Sequence, residues 1–171
     1  LVRAHMAIKD IAAQDNLDQK PVASLSLDKL ICGVGVSLHN GGDILCYSRT
    51  LDGYHSLCQW LSAAMMRSGH NNRALPDMHT SDLGRLSSDV IVITLPPVLA
   101  DTDYREQART IRLFAPGDVY VGGYLMRDGC DEERLYRLSQ EAAADNLGFV
   151  ALGHVLYPVS YTHLTLPTIA K

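Results

Sequence analysis

Residues 43 to 70 constrain this chain more than any other stretch. Asp43-Ile-Leu-Cys-Tyr47 is a short apolar run, Ser48-Arg-Thr-Leu-Asp-Gly53 is a polar turn, and from Tyr54 onward Leu57, Trp60, Leu61, Ala64 and Met65 recur at helical spacing. A short apolar run between turn signals suits a strand, and a 3.6-residue apolar period over a longer stretch suits an amphipathic helix. The expectation is a strand, a loop and a helix in that order. Every other element has to be arranged around that unit.

The 171 residues, 47% hydrophobic and 20% charged, can bury one ordinary core, so one main domain is expected. The formal charge of -4 is mild. Basic residues are scattered rather than striped, which argues against a nucleic-acid partner. Cys32, Cys46, Cys58 and Cys130 form no C-x-x-C pair, and most fall inside expected strands or helices. They read as buried free thiols of a reducing cytoplasm, with no metal-binding or disulfide role. No apolar run approaches the roughly 20 residues that span a bilayer. Leu1 opens the chain with neither an initiator methionine nor a signal-peptide pattern, so a fragment of a longer reading frame is expected. Val159-Ser-Tyr-Thr-His-Leu-Thr-Leu-Pro167 matches no element the fold still needs and resembles a translated sequencing-library adapter. Residues 158–171, His163 among them, are therefore set aside as an artefact tail.

Residues 1–28 read as a linker, with a short helix over 3–15 (Met6, Ile8, Ile11, Ala12) and an extended segment from Pro21 to Leu27. The domain proper is placed at 29–157. Leu30 to Leu38 is apolar and holds Gly33 and Gly35, but no third glycine or helix follows, and Ser37 to Gly42 is a turn, so a dinucleotide fingerprint is rejected. After the strand-loop-helix unit come a weak strand at Arg73-Ala74-Leu75 and a short helical link at Leu83–Leu86. Asp89-Val-Ile-Val-Ile-Thr94 is the strongest strand, apolar on both faces. A helix over 101–113 has Tyr104, Ala108, Ile111 and Leu113 as core candidates, and Asp101 and Asp103 as caps. Asp118–Met126 is a strand in which Gly122 and Gly123 allow close packing. Asp131 caps or opens a helix to about Asp145 with Leu135, Leu138 and Ala142 inward, and Gly148–Leu156 is the last strand. Alternating β and α elements imply an α/β fold, a mostly parallel sheet covered by helices on both faces and P-loop NTPase-like. Ligands of such sheets bind at the carboxyl ends of the strands, so Ser48–Ser56, Asp77 and Thr94–Asp103 are expected to share one crevice.

The run Leu86-Ser-Ser-Asp89-Val-Ile-Val-Ile-Thr-Leu-Pro96-Pro97-Val98-Leu99-Ala-Asp-Thr-Asp103 resembles a segment of the bacterial polysaccharide-biosynthesis tyrosine kinases. This family of MinD-like P-loop ATPases often follows a chain-length-determinant membrane domain. Leu17–Lys29 looks like its linker, and Asp118–Leu156 like its closing strand, helix and strand. The resemblance implies a phosphate loop at Ser48–Ser56. That loop needs glycines whose N–H groups reach phosphate, a lysine, and a hydroxyl for magnesium. Ser56 falls on the hydroxyl position, but His55 stands at the lysine, Tyr54 at the preceding glycine, and Thr94 at the strand-end aspartate. Asp77 matches the remaining metal-linked acid.

The resemblance therefore implies a non-catalytic regulatory or scaffolding domain of exopolysaccharide or capsule biosynthesis. It would lie in the cytoplasm at the inner face of the membrane, reaching that membrane only through a missing N-terminal region. Its partners would be proteins of the assembly system, with a homo-oligomer possible and no nucleic acid. Catalytic residues, resident metal and cofactor are all expected to be absent. The alternative is a nucleotide-binding ATPase or tyrosine kinase that retains activity, taking ATP and Mg at Ser48, Gly53, His55, Ser56 and Asp77, with the loop backbone at the helix start as an anion site. A small hydrolase using Ser48, His55 or His79 and Asp77 lacks the G-x-S-x-G elbow.

Overall fold

A computed structural model describes residues 31–68, 77–97, 104–127 and 129–153. The expected elements at 3–15, 21–27, 73–75 and 101–103 and the tail at 158–171 lie outside the described residues. Five strands form one sheet in sequence order: β1 (Gly33–Leu38), β2 (Gly42–Ser48), β3 (Val90–Thr94), β4 (Val119–Gly123) and β5 (Gly148–Ala151). The helices are α1 (Leu51–Arg67), α2 (Tyr104–Phe114) and α3 (Asp131–Ala144), with a 3-10 helix at Thr80–Arg85. β1 and β2 pair antiparallel, as do β2 and β3, whereas β3, β4 and β5 run parallel. The expected mostly parallel, P-loop NTPase-like sheet is thus overturned by a mixed sheet whose first half is antiparallel.

Two local causes account for the difference. His39, Asn40 and Gly41 alone separate β1 from β2, and a parallel pair needs a crossover of about a dozen residues or more. Asn-Gly between alternating apolar residues is a strong hairpin signal, and Gly42 takes the left-handed φ of +70° that the tight turn demands. The second cause follows α1. Its 17 residues carry the chain about 25 Å back along the sheet. Entering the sheet there would have made β3 parallel to β2. Instead the chain makes one more pass: His39 N donates to Met78 O at the tip of the hairpin, and Arg49 N donates to Asp89 O at the far end of β2, both at 2.9 Å. Along that pass Arg67 bonds Asp82, Trp60 Nε1 donates to Asp82 O, and Ser87 N donates to Ser56 Oγ. The returning segment is therefore zipped to α1, and β3 starts beside the end of β2.

One continuous core fills a single face of the sheet. Val36, Leu38, Ile44, Cys46, Val90, Val92, Val119 and Val121 alternate along their strands with residues of the other face. Against them lie Leu57, Trp60 and Ala64 of α1, Met78, Leu83 and Leu86 of the return pass, Ala108 and Ile111 of α2, and Ala142 of α3. The opposite face carries half-buried Leu45, Tyr47, Ile91 and Tyr120, and no described helix packs on it. The Tyr47 ring lies on Gly33, where a Cβ would come within 2.4 Å of it, and Tyr120 covers Gly148 in the same way. Helices on both faces are therefore replaced, among the described residues, by helices on one.

Helix faces follow the sequence with two exceptions. Ala108 and Ile111 are buried as expected, but Leu113 is 83% exposed, because two residues past Ile111 is about 200° around the helix. Met65, beside buried Ala64, is likewise turned to solvent. In α3, Leu138 and Ala142 are buried and Leu135 is half-buried. Cys130 occupies the N-cap position, and Asp131 sits in the first turn, where its carboxylate accepts from Met126 N and Arg127 N at 2.8 Å each. Those N–H groups, Met126 foremost, together with Arg134 hold the Asp131 carboxyl below the usual range. Of the four cysteines only Cys46 is buried. Cys32 is half-buried and Cys58 and Cys130 are exposed, which corrects the expectation of buried thiols throughout.

Asp145, just past α3, joins α3 to α2. It accepts from Arg105 Nε and Nη2 at 2.8 and 2.9 Å and from Arg109 Nη2 at 2.8 Å. These bonds, Arg105's first, hold its carboxyl well below the usual carboxylate range.

Two predictions follow from this packing. Ile111→Ala removes a fully buried side chain and should destabilise by about 2–5 kcal/mol in urea unfolding, whereas Leu113→Ala should stay within about 0.5 kcal/mol. The unfolded chain binds a proton at Asp145 more tightly than the folded one does. Its stabilising contribution is therefore whole above the ordinary carboxylate value of about 3.9 and is lost as the pH falls below it. Unfolding midpoints compared at pH 7 and at about pH 2.5 should show a smaller acid loss for Asp145→Asn than for the wild type. Equal losses would remove the Arg–Asp cluster from the account of acid stability.

Candidate functional site

The loop at the start of α1 is closed by its own side chains. Ser48 Oγ donates to Cys32 O at 3.2 Å, and Arg49 pairs with Asp118. Thr50 is the N-cap, with extended φ and ψ of -127° and 171°. Its Oγ1 accepts from Gly53 N at 3.1 Å and donates to Asp89 Oδ2 at 2.8 Å. Gly53 is buried against the Asp89 backbone, where a Cβ would stand 2.9 Å from the carbonyl oxygen. His55 is exposed, with its ring 6.2 Å from that of Tyr54, and Ser56 Oγ accepts from Ser87 N at 2.8 Å. Glycine at 53 thus serves chain packing, and the carboxylates of Asp52 and Asp89 already supply negative charge at the positive end of the helix. A phosphate there would meet two acids and a hydroxyl already committed to Gly53 N.

The residues expected to share a crevice are divided between opposite ends of the strands. Ser48 pairs with Val90 and Ile44 with Thr94, so Ser48 and Thr94 lie roughly 13 Å apart along the strands. Antiparallel pairing of β2 with β3 is the cause. Thr94 is itself buried, its Oγ1 within 2.5 Å of Tyr104 Oη and 3.3 Å of Tyr120 O. Burial raises the Tyr104 phenol above its ordinary range, so this pair stays neutral and structural. Residues 98–103 lie outside the described residues. The hairpin and the carboxyl end of β3 do enclose a crevice of about 460 Å³, lined by Ser37, Gly42, Asp43, Pro96, Gln107 and Tyr124 among others. Its polar groups are largely engaged, Ser37 Oγ with Asp43 at 2.5 Å and Tyr124 Oη with Pro96 O at 3.0 Å.

Asp77 falls at the hairpin edge, away from the α1 loop. His39 Nε2 is 2.9 Å and His79 Nε2 3.5 Å from Asp77 Oδ1, and the two rings are 5.0 Å apart. Among the described residues this is the one group of three or more His, Cys, Asp or Glu side chains close enough to hold an ion together. Sequence reasoning placed Asp77 in a nucleotide crevice, considered His79 only for a hydrolase that lacks its elbow motif, and gave His39 no role. The signal available was a D-x-H triplet at 77–79 and a histidine at a hairpin tip, neither of which announces the other. Burial pushes the Cys46 thiol up to about 12, which keeps it protonated.

No helix among the described residues is long and apolar enough to cross a membrane. No family model matches the chain. It is similar to the error-prone DNA polymerases of Brucella abortus, Brucella suis and Brucella melitensis, at 25% identity to each over 158 residues. The alignment covers 92% of this chain and 14% of each of those proteins, so the chain spans about a seventh of their length.

If the α1 start is a structural cap, Thr50→Ala should cost about 1 kcal/mol of unfolding free energy, while His55→Ala should leave stability within about 0.5 kcal/mol. The reverse order in urea unfolding would mean that His55 holds contacts the cap account omits.

Proposed function

We propose that this chain is an accessory α/β segment of a longer protein similar to the error-prone DNA polymerases, and that it performs no nucleotidyl transfer of its own. The observation that carries the reading is an alignment that runs through 92% of the chain rather than through one motif. Chemistry supports the accessory part. Phosphoryl and nucleotidyl transfer rely on clustered carboxylates that hold divalent metal beside the phosphates. The described cluster of possible metal ligands contains one carboxylate, Asp77.

Charge supports it as well. Arg49, Arg67, Arg105, Arg109 and Arg134 each pair with a carboxylate of this chain, and the formal charge is -4. Those guanidinium groups serve internal packing, and DNA would be gripped elsewhere in the longer protein. The segment then acts through contact with neighbouring parts of that polypeptide. Leu45, Tyr47, Ile91 and Tyr120 give it an apolar sheet face on which such contact can form.

The test is to recover the complete reading frame and assay primer extension by its product and by the 171-residue chain alone. Extension by the complete protein and none by the chain is the expected result. Extension by the chain alone would overturn the accessory assignment. An upstream frame encoding membrane-spanning segments, with no extension by the product, would overturn the polymerase reading in favour of the polysaccharide-assembly one.

A further inference from the structure

The geometry points to a divalent metal site of the zinc class at His39, Asp77 and His79, one that clips the β1–β2 hairpin tip to the segment returning from α1. The three ligand atoms lie within 4.8 Å of one another. Ligands about 2.1 Å from a tetrahedral zinc ion sit roughly 3.4 Å apart, and the two imidazole-to-carboxylate distances, 2.9 and 3.5 Å, bracket that value. Hydrogen bonding accounts for only half of the arrangement. His39 Nε2 at 2.9 Å makes a good bond to Asp77, but His79 Nε2 at 3.5 Å lies outside the usual N–H···O range. A cation on the shared carboxylate oxygen draws both imidazoles with one interaction.

The backbone beneath all three ligands is held in place. His39 N donates to Met78 O at 2.9 Å, and Met78 is fully buried between the two ligands of its own segment. Asp77 N donates to Ser68 Oγ at 2.7 Å, and Asp77 O accepts from Arg67 Nη2 at 2.8 Å. His79 N donates to Asp82 Oδ2 at 3.1 Å. Two segments far apart in sequence therefore present their donors without any further folding step, which lowers the ordering cost of binding.

Two imidazoles and one carboxylate favour zinc, cobalt, nickel or copper over magnesium and calcium, which prefer all-oxygen shells. Three protein ligands leave a position for water or a small anion. His79 also lines a shallow cavity of about 470 Å³ with Asn40, Thr80, Ser81, Thr110 and Phe114. Thr80 Oγ1, on that cavity, is buried without a hydrogen-bond partner among the described residues, an unmet polar demand beside the cluster. This inference stands apart from the polymerase reading, because it rests on side-chain geometry alone.

The experiment titrates the full 171-residue chain, freed of metal, with Zn²⁺ by calorimetry and with Co²⁺ by visible absorption. One ion per chain is expected, with tetrahedral cobalt bands and no thiolate charge-transfer band. His79→Ala and the near-isosteric Asp77→Asn should each weaken binding by about tenfold or more, a floor set by the loss that removal of even an outer-shell partner produces. Their circular-dichroism melts in chelator should match the wild type, since all three ligands are substantially exposed. His55→Ala should bind as the wild type does. Absence of binding, binding untouched by the Asp77 and His79 changes, or binding lost instead on Cys58→Ser or Cys130→Ser would overturn the proposal.

Discussion

A turn of three residues, His39 to Gly41, sets the polarity of the first strand pair, and the return pass packed on α1 sets that of the second. No crossover fits into so short a connection, so β1 and β2 must run antiparallel. The same turn is tied by its His39 amide to Met78, and this bond fixes where the return from α1 begins. From there the 3-10 pass carries the chain to the other end of the strands before β3 starts. Parallel pairing appears only afterwards, when α2 and α3 each bring the chain back once between β3, β4 and β5.

That polarity decides which polar residues can meet. It separates Ser48–Ser56 from the carboxyl end of β3, and the start of α1 is then free to be a plain capped helix end. It also brings Asp77 and His79 beside His39. The cluster is therefore a by-product of the extra pass. Distribution of charge follows the same logic, since Arg105 and Arg109 of α2 meet Asp145 only because α2 and α3 lie side by side on one face.

Much of the secondary structure was legible in the residues. Apolar runs announced β2, β3 and β4, helical spacing announced α1, α2 and α3, and glycines at 122 and 123 announced close packing, which the contacts of Leu152 and Phe149 with those positions confirm. Leu113 was misplaced because an apolar residue at the end of a helix fits a loosely drawn stripe. Its true angle, well off the Ala108–Ile111 line, turns it to water. Ser48, Gly53, His55 and Ser56 looked like the remnant of a phosphate loop because strand, polar turn and helix occur in that order in many α/β proteins. Order along the chain does not reveal which end of the strands the turn occupies.

The amino-acid sequence by itself determined the elements, since periodicity and turn chemistry are local and act within a few residues. It also determined the hairpin, through Asn40-Gly41 and the length of the connection, although that constraint has to be weighed ahead of the β-α alternation that follows it. Only the tertiary structure decided the direction of β3 relative to β2, the single covered face and the meeting of His39 with Asp77 and His79. These depend on where a 13-residue return pass from Asp77 to Asp89 packs against α1, and that position is set by burial of Met78, Leu83 and Leu86 against residues distant in the chain. Such contacts are summed over the whole core, so no short window of sequence contains them.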